Sequence, residues 1–332
     1  MNLEQPKVNA LVTGANGFVG SHLVEALIAK GHRVTGLVRR TSDLRWLQGL
    51  DVEYVYGDVT DPASLSRAVA GIDDVFHVAG VIAAREKTAY HAVNAEGTRN
   101  VLQACVEAKE SFRRIVCVTS LAAVGPSPTA VPLREDAKPH PLTSYGKSKY
   151  QAEQIAHQYM DRLPITVIRP PPIYGPRDQG VYTFFQWVKR GLIPTFRRHA
   201  LISLCYIEDL VQGCIAATTH EKAIGQTYFI CDPRIYTWEQ VGDAIAAALG
   251  QPAVAIRIPA GLAYSVAWGA EITSKWRGRP PLLTREKVRE LRQPYWICSP
   301  AKAQRELQFV SSVSLEHGIN TTAAWYIEQG WL

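Results

Sequence analysis

The sequence lacks three features, each of which would have assigned the protein to a class. No uninterrupted run of about eighteen apolar residues occurs, so no membrane-spanning helix is expected. The six cysteines lie far apart and form no C-x-x-C pair, which argues against a zinc site or a redox pair. We therefore predict no metal. Residues 1–7 contain no apolar signal region, and a cytoplasmic protein is expected.

A strong excess of one charge is also missing. The chain has 36 basic and 30 acidic residues, a formal charge of +6 that we interpret as spread along the sequence. This mild excess gives no reason to expect a nucleic-acid partner, although it suits an anionic cofactor. With 47% hydrophobic and 20% charged residues, the composition is that of an ordinary globular protein.

Apolar runs and helical patterns alternate through the first half of the chain. The run at residues 8–14 is followed by helical spacing at Leu23, Val24, Leu27 and Ile28, and five further strand-like runs follow as far as Ile168. Strands that alternate with helices are typical of a Rossmann-type, doubly wound parallel sheet. Ligands of such sheets bind beyond the carboxyl ends of the strands.

The pattern changes after the sixth strand. The loop RPPPIYGPRDQG leaves the sheet, and LISLCYIEDLVQGCIAATT is typical of one more strand and helix. Beyond Ile235 the segments are mostly helical and rich in tryptophan. We expect an α/β protein in which residues 1–177 and 200–235 form the dinucleotide-binding domain. Residues 178–199 and 236–332 would form a smaller, mostly helical substrate-binding lobe.

Residues 259–279 have an apolar face, two tryptophans and a basic end. Two interpretations are open. The segment is either a helix that covers a pocket or the core, or a surface helix that touches a membrane. We favour the first.

The stretch TGANGFVG follows the first strand and opens the first helix. Gly14, Gly17 and Gly20 allow a tight turn, a close approach to a pyrophosphate and close packing of the helix on the sheet. The helix N-terminus supplies N–H donors to the phosphates. We expect a dinucleotide to bind here, although the spacing G-x-x-G-x-x-G departs from the commoner G-x-G-x-x-G. Asn16, Phe18 and Val19 lie in the same turn and are predicted cofactor contacts.

The stretch TSYGKSKYQAE places Tyr145 four residues before Lys149 at the start of a predicted helix. Residues i and i+4 share one helix face, so both side chains can line one pocket. Taken alone, this spacing is common and is equally consistent with a surface aromatic beside a solvated lysine.

Together with GDVTD, FHVAG and VTS, these motifs resemble the extended short-chain dehydrogenase/reductase family, also called the NAD-dependent epimerase/dehydratase family. That family includes nucleotide-sugar epimerases and dehydratases, dihydroflavonol reductases and 3β-hydroxysteroid dehydrogenases. The resemblance implies that Ser120, Tyr145 and Lys149 are catalytic. Tyrosine has a pKa of about 10, and a neighbouring ammonium would lower it and make tyrosine a better general acid or base. The same lysine would hold the nicotinamide ribose, and Ser120 would hydrogen-bond the reacting oxygen.

The resemblance implies several other roles. Asn94 matches an asparagine found in a helix of the family, and the alternative is a structural role in which it bends that helix. His77 is expected to be a packed core histidine. Thr119 and Arg169 are expected to be structural, the latter in an ion pair. Further cofactor contacts implied by the resemblance are Asp58 and Val59 at the adenine, Val78, Ala79 and Gly80 along the cofactor, and Pro172 and Ile173 near the nicotinamide carboxamide.

The end of the second strand bears on the choice of cofactor. An NAD enzyme usually has an acidic residue there to bind the ribose 2′-hydroxyl. This chain has Val38, followed by Arg39 and Arg40. Because a guanidinium can bind a 2′-phosphate through two hydrogen bonds, we expect NADP(H) in preference to NAD(H).

The substrate is predicted from a missing arginine. Nucleotide-sugar enzymes of the family commonly have arginine seven residues before the Asp that corresponds to Asp209, and here the position is Ile202. We therefore expect hydride transfer between a secondary alcohol and a ketone on a mostly apolar small molecule. The alternative is a nucleotide-sugar epimerase or dehydratase that oxidises its substrate transiently. A non-catalytic cofactor sensor is disfavoured because the catalytic residues are present. A homodimer through helices at residues 96–109 and 144–161 is implied by resemblance alone.

Overall fold

In the computed structural model the described residues are 7–108, 111–277, 281 and 283–332, with residues 275–277 described by their backbone alone. Three expectations fall partly outside these ranges. They are the start of the first domain at residue 1, the end of the predicted dimer helix at residue 109, and the basic end of segment 259–279.

A seven-stranded parallel sheet forms the centre of the fold. Its strands stand in the order β3, β2, β1, β4, β5, β6 and β11, which confirms the predicted doubly wound sheet. The strands, in chain order, are β1 (Asn9–Thr13), β2 (Arg33–Val38), β3 (Val52–Tyr56), β4 (Asp74–His77), β5 (Arg114–Val118), β6 (Ile165–Arg169), β7 (Ile173–Tyr174), β8 (Leu192–Thr195), β9 (Leu201–Ile202), β10 (Cys205–Tyr206), β11 (Thr227–Phe229), β12 (Tyr236–Thr237), β13 (Val254–Arg257) and β14 (Tyr295–Trp296).

Helices cover both faces of this sheet. In chain order they are α1 (Phe18–Ala29), α2 (Ser66–Val69), α3 (Lys87–Tyr90), α4 (Gly97–Glu107), α5 (Ser144–Tyr159), α6 (Tyr182–Lys189), α7 (Ile207–Thr219), α8 (Trp238–Ala248), α9 (Ala260–Arg277), α10 (Arg285–Leu291), α11 (Ala301–Leu307) and α12 (Leu315–Glu328). A π-helical segment, His91–Glu96, joins α3 to α4. Within the described residues, no helix combines the length and apolar character needed to cross a bilayer.

Two hydrophobic clusters show how the helices are divided between the faces. One cluster packs the buried residues of α1 and α7 against the sheet and continues into α8 and α12. The other contains the buried residues of α2, α4 and α5. Burial of apolar side chains on both faces explains why the strands read as continuous apolar runs.

The strand order reverses at β1, because β2 and β4 flank it on opposite sides and the following strands continue outward from each. Thr13, the last residue of β1, pairs in register with Leu37 of β2 and His77 of β4. The carboxyl ends of the three strands therefore meet at one edge, where a crevice for a ligand forms in this fold class.

One predicted strand is placed differently. LISLCY does not extend the main sheet but forms β9 and β10, which belong to separate small sheets. The seventh strand is β11, a three-residue strand that pairs with β6. The stretch TYF was missed because three residues are too few to show periodicity. The helix predicted after LISLCY is present as α7.

Candidate active site

The glycine loop joins β1 to α1 and is held too tightly for side chains. Gly14 has φ +68°, and a Cβ there would lie 2.9 Å from the Cα of Ala79. A Cβ at Gly20 would lie 2.1 Å from the carbonyl oxygen of Gly14. The absence of side chains therefore lets α1 pack directly on the loop.

The N-terminus of α1 opens above this loop. Gly17 is its N-cap, no side chain caps it, and its first turn contains no acidic residue. The first backbone N–H groups of the helix, at Phe18 and Val19, are thus left to an anion. The three glycines of the loop have no side chains that would fill the space above it, and α1, a helix of twelve residues, has no side-chain cap. Together they fit a dinucleotide pyrophosphate.

The end of β2 carries the two arginines predicted for the adenosine side. Val38 is buried, whereas Arg39 and Arg40 are exposed. The Arg39 backbone N–H donates to the Ser42 hydroxyl at 3.1 Å, and the Arg40 guanidinium lies 5.1 Å from the centre of the Tyr56 ring. Two strands, β1 and β4, separate β2 from β5, at whose end Ser120 lies, so this edge can accommodate the two ends of a dinucleotide.

Asn16 and Asp58 also have local partners. The Asn16 side-chain amide donates to the carbonyl oxygen of Asp43 at 3.3 Å. Asp58 Oδ1 accepts from the backbone N–H of Thr60 at 2.9 Å and from its hydroxyl at 2.8 Å. Val59 is buried and belongs to the core cluster beneath the sheet. Asp58 thus shapes the turn after β3, whatever else it binds.

His77 is the packed core histidine that the sequence analysis predicts. Its Nδ1 lies 2.9 Å from the Thr13 hydroxyl and its Nε2 lies 2.9 Å from the Thr98 hydroxyl. Burial lowers the pKa of His77 to about 3, so the ring is neutral. Because the Thr98 hydroxyl donates to the carbonyl oxygen of Asn94, we assign the ring proton to Nε2 and a donated bond from Thr13 to Nδ1.

The chain of bonds through His77 fixes the loop after β4. Thr13 Oγ1 accepts from the backbone N–H groups of Val78 and Ala79, each at 3.1 Å. Val78 and Ala79 are therefore pinned against β1, directly beside Gly14. This places the predicted contact residues 78–80 next to the glycine loop.

Ser120, Tyr145 and Lys149 come together where β5 ends and α5 begins. Ser120 follows β5 and caps a short 3₁₀ turn, its hydroxyl accepting from the Ala122 N–H at 3.1 Å. Thr143 caps α5 through the Gly146 N–H at 3.0 Å. The Ser120 side chain is a hydrogen-bond partner of the Tyr145 hydroxyl.

Lys149 is turned toward the end of β5. It is buried, and its ammonium donates to the carbonyl oxygen of Val118 at 3.1 Å. A Cβ at Gly80 would lie 3.2 Å from the same nitrogen. Burial lowers the pKa of Lys149 to about 8, while the nearby Glu153 carboxylate acts in the opposite direction.

The pKa of Tyr145 is not lowered as the sequence analysis expected. Burial raises it to about 12, and the hydrogen bond from Ser120 acts in the opposite direction. The physical reason is the direction of Lys149, whose ammonium bonds a backbone carbonyl, so that desolvation of the phenol dominates. The side-chain ring of Tyr90 lies 6.3 Å from that of Tyr145 and contributes to the same apolar surroundings.

Thr119 and Arg169 are structural, as predicted. The Arg169 guanidinium forms a buried ion pair with Glu153 at 2.7 Å. The Thr119 hydroxyl donates to the same carboxylate at 2.6 Å. These bonds tie the end of β5 to the inner face of α5, one turn beyond Lys149.

Asn94 lies in the π-helical segment and links three parts of the site. Its Oδ1 accepts from the Val81 N–H at 2.8 Å, and its Nδ2 donates to the Val81 carbonyl at 3.1 Å and to the Ser148 hydroxyl at 2.9 Å. The loop after β4 is thereby fixed to α5, the helix that carries Tyr145 and Lys149. A π-helical turn at such a position is frequent at functional sites.

Pro172 and Ile173 lie on the segment that follows β6. The Leu121 N–H donates to the carbonyl oxygen of Pro170 at 2.8 Å, which brings this segment beside the turn after Ser120. Ile173 pairs with Cys205 in the small sheet of β7 and β10.

Glu286 is a site residue that the sequence did not reveal. Its carboxylate accepts from the backbone N–H of Ser144 at 2.7 Å and from the Ser144 hydroxyl at 2.9 Å, and it pairs with Lys87 at 2.5 Å. These bonds hold α10 over the N-terminus of α5, directly before Tyr145. No local pattern marks this role because the partners are 142 residues apart.

Comparisons with known proteins agree with this geometry. The model of a family described as the NAD dependent epimerase/dehydratase family matches residues 10–231, well over half of the chain. A ceramide reductase of Caulobacter vibrioides is 31% identical over 324 residues, covering 97% of this chain and 95% of the relative.

Two further comparisons cover nearly the whole chain. A 2-alkyl-3-oxoalkanoate reductase of Stenotrophomonas maltophilia is 30% identical, with 95% of this chain and 98% of the relative aligned. The crystal structure of gox2253 is 27% identical and superposes with a TM-score of 0.80, covering 98% of this chain and 99% of that chain.

Proposed function

Because the chain belongs to the NAD dependent epimerase/dehydratase family, we propose that it is an NADP(H)-dependent reductase of the extended short-chain type. It interconverts a ketone and a secondary alcohol on a mostly apolar small molecule. The observation that carries this proposal is that Ser120 meets Tyr145, and that Lys149 lies beside Gly80, in the loop whose Ala79 abuts Gly14. A nicotinamide dinucleotide, when bound, supplies the hydride for the carbonyl carbon.

Tyr145 is the general acid in this proposal. In the reduction direction its phenolic proton passes to the carbonyl oxygen, and Ser120 donates a hydrogen bond to the same oxygen. A pKa of about 12 keeps the phenol protonated at neutral pH, as reduction requires. It is still a stronger acid than the alcohol that the reduction forms. The reverse reaction needs tyrosinate and is favoured at high pH.

Lys149 and the loops would hold the cofactor. The Lys149 ammonium, beside Gly80 and the end of β5, would donate to the ribose of the nicotinamide. The glycine loop and the first turn of α1 would hold the pyrophosphate. Asp58 and Val59 would contact the adenine, and Pro172 and Ile173 the carboxamide.

NADP(H) is the proposed cofactor because of the end of β2. Val38 is buried and cannot bind a ribose hydroxyl, whereas Arg39 and Arg40 are exposed there. A guanidinium at this position favours a 2′-phosphate.

The proposed substrate is apolar, with a ketone next to alkyl chains. Ile202, which occupies the place of the diphosphate-binding arginine, is buried in the hydrophobic core at 2% exposure. The relatives named above act on ceramide and on 2-alkyl-3-oxoalkanoate, both of which carry alkyl chains. Residues 178–199 and 236–332 form the proposed substrate-binding lobe over the Rossmann domain at 1–177 and 200–235.

The alternative function, an epimerase, is favoured only by the family description. A reductase consumes its cofactor and an epimerase does not, so net cofactor turnover distinguishes the two. The purified protein is mixed with NADPH and either a 2-alkyl-3-oxo acid or UDP-glucose, and oxidation of NADPH is followed by absorbance. We expect one NADPH oxidised for each ketone reduced, and no epimerised sugar. Epimerisation of UDP-glucose without net cofactor consumption would contradict the proposal.

A homodimer through α4 and α5 is also proposed. The two helices pack side by side, and the Tyr159 hydroxyl of α5 donates to the Gln103 side chain of α4 at 3.0 Å. Two copies could thus join four helices. A monomeric mass measured by light scattering at micromolar concentration would contradict the proposed homodimer. The cytoplasmic location remains a prediction from the sequence.

A further inference from the structure

The helix α9 has two different sides. On the inner side, Ala263 and Ala267 are buried and form a small cluster with Val288 of α10. On the outer side, Leu262, Val266, Trp268 and Ile272 are 59%, 54%, 57% and 40% exposed. We call these four residues the α9 face. The inner side agrees with the interpretation favoured from the sequence, a helix that covers the core. That packing does not explain the four exposed residues.

The α9 face is apolar over most of the helix length. At 100° per residue its four members fall within one side of the helix, interspersed with Ser265, Gly269 and Thr273. From Ala260 to Ser274 the only charged residue is Glu271, which pairs with Arg285 at 2.8 Å. An exposed tryptophan surrounded by aliphatic side chains marks a surface that another apolar phase covers.

Arginines lie next to residues that pack against α9, since Arg197 follows Phe196 and Arg257 precedes Ile258. Arg257 ends β13, in register with Thr195 at the end of β8, and the exposed Arg197 and Arg198 follow two residues later. On the flank of α9, the Arg292 guanidinium lies 5.8 Å from the centre of the Tyr264 ring. In the part of the chain that the structure describes, no carboxylate lies within ion-pair distance of these four arginines.

The charge of the whole chain is concentrated in this region. Residues 254–293 contain eight lysines and arginines against three glutamates, a net +5 of the formal charge of +6. The three carboxylates are already paired, Glu271 with Arg285, Glu286 with Lys87 and Glu290 with Lys287. The sequence analysis predicted a charge spread along the chain, and this prediction is wrong because most of the excess lies in residues 254–293.

We propose that the α9 face lies in the surface of a membrane that contains anionic lipids. The helix of 18 residues lies parallel to the bilayer, its apolar side chains enter the acyl boundary, and the arginines contact phosphate headgroups. This contact is peripheral and reversible, and it does not require a spanning helix.

A second copy of the chain fits this surface less well. In a symmetric dimer the same patch meets itself, which would bring the unpaired arginines of the two copies together. Anionic headgroups supply the opposite charge. That the contact gives a lipid-like ketone access to Tyr145 rests on the proposed function, whereas the membrane contact itself does not.

Vesicle sedimentation tests the proposal. The full chain is mixed with vesicles of phosphatidylcholine alone or of phosphatidylcholine with phosphatidylglycerol. The test variants are Leu262→Gln/Val266→Gln/Trp268→Gln and Arg197→Ser/Arg198→Ser/Arg257→Ser. The matched control is Val310→Gln/Ile327→Gln, which removes side chains that are 72% and 55% exposed elsewhere. Circular dichroism verifies that each variant is folded.

We expect the wild type and the control to bind the anionic vesicles equally well, and pure phosphatidylcholine much more weakly. The arginine variant should bind about 100-fold more weakly, since each cationic side chain contributes about fivefold. The affinity of the apolar variant for anionic vesicles should fall at least tenfold. Failure of the wild type to bind anionic vesicles, or equal binding by the apolar variant, would overturn the proposal. So would a wild-type dimer that the apolar variant abolishes.

A parallel assay separates this proposal from the proposed function. Turnover of a short, water-soluble ketone by the wild type is measured without vesicles. If vesicle binding behaves as expected and no ketone is reduced, the proposed function alone has failed. If ketone is reduced and no vesicle binding occurs, the membrane proposal alone has failed.

Discussion

The ammonium of Lys149 donates to the carbonyl oxygen of Val118 at 3.1 Å, and the lysine side chain is almost fully buried. The ammonium of Lys149 is thereby fixed at the end of β5 rather than against the tyrosine hydroxyl. The cost of burying this charge appears as a pKa lowered to about 8.

Replacing Lys149 by methionine should stabilise the protein at neutral pH. The folded-state pKa of about 8 lies below the unfolded value of about 10.4. Between them the unfolded state binds more protons, so the stability of the wild type rises with pH through this window. Below pH 8 the folded protein bears the full free-energy cost of burying the charged ammonium. Lys149→Met should therefore raise the free energy of unfolding by up to about 3 kcal/mol at pH 7 and lose this advantage above about pH 10.

Urea unfolding at the two pH values measures the effect. Lys147→Met, an exposed position on the same helix, is the control and should change little. A Lys149→Met variant that is less stable than the wild type at pH 7 would contradict the account of a desolvated ammonium.

Gly20→Ala should damage cofactor binding. The added methyl group would lie 2.1 Å from the Gly14 carbonyl oxygen, so α1 must move away from the loop that it closes. We expect at least a tenfold rise in the Kd for NADPH, measured by fluorescence. Gly269→Ala, where a Cβ meets nothing within 4 Å, is the matched control. Unchanged affinity in Gly20→Ala would show that the loop does not hold the pyrophosphate.

Much of this arrangement could be predicted because it is local in the chain. The glycine loop, the strand alternation and the pair Tyr145–Lys149 each occupy one short segment with its own periodicity. Glu286 and the bond from Lys149 to Val118 could not be predicted, since both depend on contacts across the fold. The raised pKa of Tyr145 was missed for the same reason, because desolvation depends on everything packed around the phenol. The concentration of positive charge near α9 is visible in the sequence, but the net charge of the whole chain does not reveal it.

Arg39→Ala should weaken NADP(H) selectively. Removing the guanidinium at the end of β2 deletes a partner for the 2′-phosphate but leaves the contacts shared with NAD(H). We expect the Kd for NADPH to rise at least tenfold and that for NADH to stay within twofold. Arg33→Ala, at the opposite end of β2 and also exposed, controls for net charge. Equal losses for both cofactors, or a wild-type preference for NADH, would defeat the assignment.

The role of Tyr145 as proton donor is the central claim. Tyr145→Phe removes one oxygen and keeps the ring, so folding and cofactor affinity should hardly change. Lys149→Ala, by contrast, should also raise the cofactor Kd, because it removes the proposed ribose contact. This difference between the two variants distinguishes a proton donor from a residue that binds the cofactor.

Single-turnover reduction of a 2-alkyl-3-oxo acid by preloaded NADPH tests the claim most directly. The account predicts that Tyr145→Phe slows this step by on the order of 10²–10⁴ at an unchanged Kd for NADPH. A Tyr145→Phe variant that reduces the ketone at close to the wild-type rate would contradict it.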